Sequence, residues 1–169
     1  IGLSSGGPAT SRGYTPSVFA RIPGLLERAG RWTHGSITGL YSVLVDGDDM
    51  NEPVADAMRS VLDGHIVLRR ELATRNHYPA IDVLSSISRL MTDLADRPQL
   101  EAAGRFKDAL ATYQRNEDMI NLGAYQRGAN PAIDQAIEYH PHFMSFLRQA
   151  FDQPVSLAES REMLIRLTS

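Results

Sequence analysis

The hydrophobic pattern of this 169-residue chain changes near Asp93. Before that point, short runs of β-branched and aromatic residues alternate with helical stripes, whereas from Pro98 onward the pattern is helical almost throughout. A strand, a helix and a further strand in this order predict a βαβ crossover, and therefore part of an α/β domain. The pattern predicts two domains, residues 1–95 and residues 96–169, that meet at about residues 92–97.

The first part of the chain contains a predicted helix and a polar turn. Thr15 followed by Pro16 indicates a helix start, because a hydroxyl residue commonly caps a helix and proline favours its first position. Gly30 should end this helix, and Pro23 should kink or split it. Residues 31–35 are polar and predict a turn.

A strand–helix–strand sequence follows this turn. Residues 36–45 (SITGLYSVLV) are apolar on both alternating faces, which predicts a strand in the middle of a covered, mainly parallel sheet. Pro53 should open a helix that stops at Gly64. Residues 65–72 predict a short strand, or a strand that leads into a helix, and residues 76–82 predict a turn before the next strand.

Three helices are predicted in the second domain. The first covers residues 98–122 and ends at Gly123, and a second begins at Pro131 after the connecting residues 124–130. The third begins at a capping box, in which Ser156 is followed three residues later by a glutamate.

Composition excludes several classes of protein. The net charge is −3, which disfavours a nucleic-acid binder, since such a protein needs a basic surface to displace counterions from phosphates. The chain has no cysteine, so disulfides and cysteine-ligated zinc are excluded. No run of 18 apolar residues occurs, and the first residue, Ile1, is not methionine, which suggests that further sequence precedes it.

An acidic loop over residues 46–53 most resembles a metal site. Its acidic residues are Asp46, Asp48, Asp49 and Glu52. Met50 stands where a calcium loop needs its third oxygen ligand, and Asn51 stands where that loop needs glycine. We therefore interpret this segment as a solvated acidic loop and expect no metal. The sequence also contains neither a GxxxxGK[ST] phosphate loop nor a GxSxG nucleophile motif.

Two residues close to the strand predicted after residues 76–82 could carry chemistry. Tyr78 precedes a proline and could present a flat ring to a base, although packing in the core is the simpler interpretation. Arg89 follows an apolar strand end and could present its forked guanidinium to an anion, although a surface ion pair is the simpler interpretation.

Taken together, the segments resemble a known family. Residues 35–91 contain, in order, a strand, a GDDxxxP loop, LDGHIVL, YPAID and SxSR, and they resemble the second half of the catalytic domain of ring ATPases related to F- and V-type rotary subunits. Residues 13–30 look like the preceding helix of that family. Residues 116–137 and 146–149 resemble the ATPases of flagellar and type III protein export. An ATP synthase β subunit would carry an acidic cluster near Tyr125, at the tip between the helices.

The resemblance implies roles for individual residues. Tyr78 matches the aromatic residue that stacks on adenine in its own subunit, and Phe146 or Phe151 matches the aromatic residue on the other side of the base. Arg89 matches the arginine finger that acts in the neighbouring subunit's site. The loop over residues 46–53 matches one that faces a central coiled-coil stalk protein. In this family the phosphate loop, its lysine, the magnesium-holding aspartate and the water-activating glutamate lie upstream of the segment seen here.

The resemblance also implies a fold and a function. The fold class would be α/β: the C-terminal part of a RecA-like P-loop ATPase domain, followed by a small all-α helical domain. The whole protein would be a cytoplasmic homo-hexamer, peripheral to the inner-membrane export gate, that binds ATP with magnesium and hydrolyses it while it unloads export substrates from chaperones. The helical domain would contact chaperones or substrates, and the 169-residue chain alone would be inactive.

Three alternatives remain open from the sequence. The chain could be a non-catalytic docking module for chaperones or a stalk protein, or part of an F- or V-type ATP synthase subunit. A nucleic-acid motor on the same fold is disfavoured, because the chain is acidic and lacks an interleaved basic and aromatic stretch. The flagellar and injectisome branches are not distinguished.

Overall fold

A computed structural model describes residues 15–169, and contacts divide the chain into two compact units after His65. The first unit contains α1 (Pro16–Leu26), β1 (Gly30–Trp32), β2 (Gly35–Ile37), a 3₁₀ turn (Asp46–Asp48) and α2 (Pro53–Val61). β3 (Gly64–Leu68) crosses the division. The second unit continues with α3 (Arg70–Thr74), β4 (Ile81–Ser88), α4 (Met91–Leu94), α5 (Arg97–Asn121), α6 (Pro131–Leu147) and α7 (Leu157–Leu167).

Helix α1 begins at the predicted residue and packs on α2. Thr15 occupies the N-cap position with extended backbone angles, and proline follows at the first helical position. Ile22 and Leu26 of α1 form a buried cluster with Met58 of α2. Of the predicted kink or split at Pro23, the split does not occur, because the helix runs through this residue as one element. A proline removes only one N–H from the helical ladder, and the buried residues on both sides of it hold the helix against α2.

The predicted polar turn over residues 31–35 belongs to a short antiparallel hairpin, whose own turn is at residues 33–34. Strands β1 and β2 pair with Gly30 opposite Ile37 and Trp32 opposite Gly35. Gly30 does not end α1, which stops at Leu26; it begins β1 instead. Gly30 and Gly35 have positive φ angles, +143° and +150°, a backbone conformation that residues with a side chain rarely adopt. Each strand is only three residues long, and all of its residues are exposed, so no hydrophobic alternation marks it in the sequence.

The predicted buried strand over residues 36–45 is also wrong. β2 ends at Ile37, and residues 38–45 form no strand. Leu40 is 94% exposed. A strand needs a neighbour for its N–H and C=O groups, and neither of the two-stranded sheets extends to these residues. The apolar pattern is typical of a buried strand, but the described part of the chain supplies no partner strand for residues 38–45.

Helix α2 begins at Pro53 as predicted, but it ends at Val61 rather than at Gly64, which begins β3. Pro53 stands at its first turn, and the side chain of buried Glu52 accepts a hydrogen bond from Ala55 N at 3.3 Å. Glu52 therefore caps the helix, so it is not an open ligand of the acidic loop. A 3₁₀ turn and a side-chain bond from Asn51 N to Asp49 Oδ1, 3.0 Å long, order the preceding loop.

In the second unit, the predicted strand that leads into a helix is present as β3 and α3. A turn that contains Tyr78 then leads into β4, as the sequence predicts. β3 and β4 form a two-stranded sheet. Arg69 N donates to Ala80 O at 2.9 Å and joins the end of β3 to the residue before β4.

Helices α5, α6 and α7 form a bundle around Phe106, Leu110 and Phe143. Val83 and Leu84 of β4 pack against this cluster, so the strand and the bundle share one core. The predicted capping box at the start of α7 is present: the Ser156 side chain accepts from Glu159 N, and the glutamate accepts from Ser156 N. None of the helices within residues 15–169 is long and apolar enough to cross a membrane.

Candidate functional site

Tyr78 lies on the surface of the second unit with a fixed backbone. Its side chain is 53% exposed, and its carbonyl oxygen accepts a hydrogen bond from Gln149 N at 2.9 Å. The preceding residue, His77, is only 4% exposed, and its N–H donates to Leu72 O at 2.9 Å. The exposed ring of Tyr78 therefore extends from a backbone that is hydrogen-bonded to two other segments of the chain. The interpretation of Tyr78 as a core residue does not fit this exposure.

The two phenylalanine candidates differ in their surroundings. Phe146, in the last turn of α6, is half-buried and packs edge-on against Phe106 with ring centroids 5.8 Å apart. Phe151 lies in the segment after α6 and is fully exposed. Gln149, which bonds to Tyr78, stands two residues before Phe151. The structure thus brings the Phe151 segment to Tyr78 through the backbone, while the Phe146 ring belongs to the core.

One side-chain and one backbone hydrogen bond order the segment after α6. Gln149 Nε2 donates to Gln153 O at 2.6 Å, and Gln153 N donates to Ala150 O at 3.1 Å. These bonds make a tight turn around Phe151, so its exposed ring is carried on an ordered backbone. Sequence reasoning missed the role of Gln149, because a single exposed glutamine in a loop carries no pattern.

Arg89 is exposed and immediately follows β4. The strand that leads to it contains one acidic residue, Asp82, whose carboxylate accepts hydrogen bonds from the Arg69 and Ser85 side chains. Burial alone would raise the pKa of Asp82, but the bonds from Ser85 and Arg69 outweigh burial and lower this pKa below its ordinary value. Asp82 is therefore a carboxylate at neutral pH. The sequence marks it only as an isolated acidic residue in an apolar strand.

A polar cavity of about 420 Å³ lies within the second unit, between β4 and the bundle. His77 and His140 both line this cavity, and the His140 ring stacks on Tyr113 with centroids 3.6 Å apart. Burial lowers the pKa of His77, and the positive charge of Arg148 lowers it further. Burial also lowers the pKa of His140. Two largely neutral imidazoles therefore stand behind the Tyr78 segment at neutral pH.

No metal centre emerges from the described residues. Within residues 15–169, no group of three or more histidine, aspartate or glutamate side chains is arranged to hold an ion. The exposed rings of Tyr78 and Phe151 offer flat aromatic faces, which chemically suit the face of a base. Arg89 offers a permanently charged fork, which suits a phosphoryl group.

Comparison with known proteins identifies the family. Residues 1–88 match the ATP synthase alpha/beta family, nucleotide-binding domain. The chain belongs to this family. Residues 95–166 match a second family, the T3SS EscN ATPase C-terminal domain. The resemblance to protein-export ATPases of this family is confirmed, and so is the fold class, the C-terminal part of an α/β ATPase domain followed by a helical domain.

Individual relatives agree with this assignment. The chain is 54% identical to the flagellum-specific ATP synthase of Bacillus subtilis strain 168 over 99% of its length, and 49% identical to the type 3 secretion system ATPase of Pseudomonas savastanoi pv. phaseolicola over its whole length. It spans 38% of the length of each of these two relatives.

Solved structures of a further family member have the same fold. The assembled ATPase EscN of the enteropathogenic E. coli type III secretion system superposes with a TM-score of 0.95 at 43% identity, over 99% of this chain and 41% of EscN. EscN in complex with its central stalk EscO superposes with a TM-score of 0.86 at 42% identity, over 99% of this chain and 40% of EscN.

Proposed function

We propose that this chain is the C-terminal part of a ring ATPase subunit that couples ATP hydrolysis to protein export through a flagellar or type III secretion apparatus. One observation carries the proposal: exposed Tyr78 precedes β4 and exposed Arg89 follows it. A ring ATPase needs a base-binding aromatic in its own site and a cation for its neighbour's site. The two ends of a single strand supply both groups here.

Tyr78 would bind one face of adenine in the subunit's own site. Stacking of a base on an aromatic ring contributes about 1–3 kcal/mol. Phe151 is the better candidate for the opposite face, since its ring is fully exposed, whereas that of Phe146 packs on Phe106. Phe146 would then support this surface from below.

Arg89 would act as an arginine finger in the neighbouring subunit. Its guanidinium would donate hydrogen bonds to the phosphoryl oxygens as negative charge spreads over them in the transition state. Magnesium, when bound with ATP, neutralises charge on the phosphate oxygens. We place the phosphate loop and the magnesium ligands in the remainder of the longer protein, because no GxxxxGK[ST] sequence occurs among these 169 residues.

The partners follow from the same proposal. The subunit would form a homo-hexamer, and the loop over residues 46–53 would face a central stalk protein. The solved complex of the relative EscN with its central stalk EscO supports this arrangement. The helical domain would contact export chaperones or substrates, and the ring would be cytoplasmic and peripheral to the export gate. A domain boundary between residues 95 and 96 remains part of this proposal, and the limits of the two family matches, 88 and 95, support it.

ATP hydrolysis by the full-length protein and by the isolated chain tests the proposal. The full-length protein should hydrolyse ATP, and the 169-residue chain should show no turnover above background. Arg89→Ala in the full-length protein should lower kcat on the order of a thousandfold or more, with nucleotide affinity almost unchanged. Arg166→Ala, a change of an exposed arginine on α7, is the matched control and should retain activity. Turnover by the isolated chain that Arg89→Ala abolishes would contradict the account.

A docking function for the helical domain is a second candidate. Leu122 and Leu157 are large apolar side chains that are more than four-fifths exposed, so each offers apolar surface to a partner. In the full-length protein, Leu157→Ser should weaken binding of a purified export chaperone while ATP hydrolysis stays unchanged. Equal chaperone binding by the variant and the wild type would remove this candidate.

A further inference from the structure

The segment that joins Tyr78 to Arg89 is bent, although it contains a strand. Val67 N donates to Ser86 Oγ at 3.0 Å, and Arg69 N donates to Ala80 O at 2.9 Å. Val67 lies in β3, and Arg69 directly follows it. Ser86 Oγ itself donates to Asp82 O, only 2.6 Å away, whereas four residues of flat strand would span about 13 Å. Residues 82–86 therefore follow a shortened, bent path.

The carboxylate of Asp82 stabilises this bend by accepting hydrogen bonds from residues on both sides of it. Its Oδ1 accepts hydrogen bonds from Leu84 N and Ser85 N, each 3.1 Å long. Its Oδ2 accepts from Ser85 Oγ at 2.6 Å and from Arg69 Nε at 3.1 Å. The main chain adds a fifth bond, from Ser86 Oγ to Asp82 O at 2.6 Å. Both carboxylate oxygens are thus used, and three separate positions are tied to one side chain.

The bend is anchored on its other side by the helical core. Val83 and Leu84 pack against the cluster around Phe106 and Phe143. The Asp82 side chain is only 18% exposed, so its bonds to Arg69 and Ser85 are shielded from competing water. A path that is held by hydrogen bonds on one side and by packing on the other has one conformation, and this conformation determines where Arg89 emerges.

We propose that Asp82 is a positioning residue for Arg89: it holds the bent segment between Tyr78 and Arg89 and so places the finger in the neighbouring subunit's site. This inference rests on the proposed function of Arg89. Asp82 stands seven residues before Arg89 and would not touch the nucleotide. A displacement of about 1 Å in a catalytic group can lower a rate on the order of a hundredfold, so a residue that fixes the bend can have a large effect on turnover.

The structure also predicts which kinetic parameter should change. Arg89 acts in the transition state, and a misplaced finger therefore lowers kcat. Tyr78 lies on the other side of the bend, where Gln149 and Leu72 hold its segment independently of Asp82. Loss of the Asp82 bonds should accordingly leave KM for ATP within about twofold of the wild type, because the base-binding ring keeps its own backbone contacts.

The test compares Asp82→Asn with Arg89→Ala and with the double variant, all in the full-length protein. Asparagine keeps one acceptor oxygen for Leu84 N and Ser85 N but loses the charged partner of Arg69. Asp82→Asn should lower kcat on the order of a hundredfold with KM unchanged. The double variant should be no slower than Arg89→Ala alone, since Asp82 acts only through Arg89. Release of radiolabelled phosphate in single-turnover assays measures these low rates.

A matched control separates positioning from general loss of stability. Asp96 also pairs with an arginine, Arg161, and also accepts a backbone hydrogen bond, from Gln99 N at 3.1 Å, but it lies outside the bent segment. Asp96 is more exposed than Asp82, so Asp96→Asn should lower the midpoint of thermal unfolding by no more than Asp82→Asn does, and it should leave kcat unchanged. If both variants lose turnover in proportion to their loss of stability, Asp82 has no positioning role.

Other outcomes are equally decisive. An unchanged kcat in Asp82→Asn contradicts the inference and leaves the proposed function intact. Effects of Asp82→Asn and Arg89→Ala that multiply also contradict it, because Asp82 would then act by another route. If Arg89→Ala itself keeps full activity, the proposed role of Arg89 is wrong, and the inference about Asp82 falls with it. If Asp82→Asn does not assemble, Arg69→Gln, which removes the Nε bond alone, replaces it with the same expected results.

Discussion

The backbone N–H of Gln149 donates a hydrogen bond to the carbonyl oxygen of Tyr78, 2.9 Å away. This bond connects the turn before β4 with the segment that follows α6. It places the exposed ring of Tyr78 near the segment that carries exposed Phe151. Two aromatic side chains from distant parts of the sequence thus belong to one surface of the second unit.

Tyr78 should determine nucleotide affinity. Tyr78→Ala removes the stacking surface and should weaken binding of ATP or ADP to the full-length protein on the order of tenfold or more. Tyr78→Phe keeps the ring and should bind almost as the wild type does. Isothermal titration with ADP measures both. Equal affinities for the alanine and phenylalanine variants would mean that the ring does not bind the base.

The two phenylalanines should separate into a binding role and a structural role. Phe151→Ala should weaken nucleotide binding with little effect on unfolding, since its ring makes no buried contact in the structure. Phe146→Ala should destabilise the protein on the order of 2 kcal/mol, because its partly buried ring packs on Phe106. Chemical unfolding and nucleotide titration of both variants check this division. A large loss of stability in Phe151→Ala would reverse the assignment.

Acidification should destabilise the second unit through its histidines. The folded pKa of His77 lies below its ordinary value of 6.5, first because of burial and then because of the Arg148 charge. The folded protein therefore binds fewer protons than the unfolded chain as the pH falls through 6.5, and the free energy of unfolding decreases until the folded pKa is passed. His140 should act in the same direction, since burial lowers its pKa; among its charged neighbours, Glu117 opposes this shift and Arg148 adds to it.

Denaturant unfolding of the chain at a series of pH values measures this dependence. His77→Gln should flatten the decrease in unfolding free energy below about pH 6.5, because glutamine does not titrate. His142→Gln, a change of an exposed residue one turn from the same core, is the matched control. A pH profile that His77→Gln leaves unchanged would show that the imidazole is not held neutral by its surroundings.

Local signals explain which elements could be predicted. The starts of α2, α6 and α7 follow from Pro53, Pro131 and the Ser156 capping box, because each signal acts within four residues of the helix end. The buried strand predicted over residues 36–45 depended on partner strands, and pairing is not encoded in the pattern of the segment itself. The sequence therefore predicted the helix starts, which depend on nearby residues, but not the strand pairing, which depends on residues far away in the sequence.

The candidate site shows the same limit. Motif resemblance singled out Tyr78 and Arg89, and the structure places both on the surface at the two ends of β4. Asp82 was missed, because its role depends on Arg69, 13 residues away, and on a bend that the sequence of β4 does not reveal. The choice between Phe146 and Phe151 also required the packing of α6, which sequence spacing alone does not give.

Mixed rings of two inactive variants test most directly whether Arg89 acts in the neighbouring subunit. One full-length variant carries Arg89→Ala, and the other lacks the phosphate-loop lysine of the upstream region. In a mixed ring, some interfaces pair an intact nucleotide site with an intact Arg89 from the adjacent subunit. We expect ATP hydrolysis to return in part on mixing, while each variant alone stays inactive. If mixed rings form, as native mass spectrometry can establish, and no hydrolysis returns, Arg89 does not act between subunits and the account is wrong.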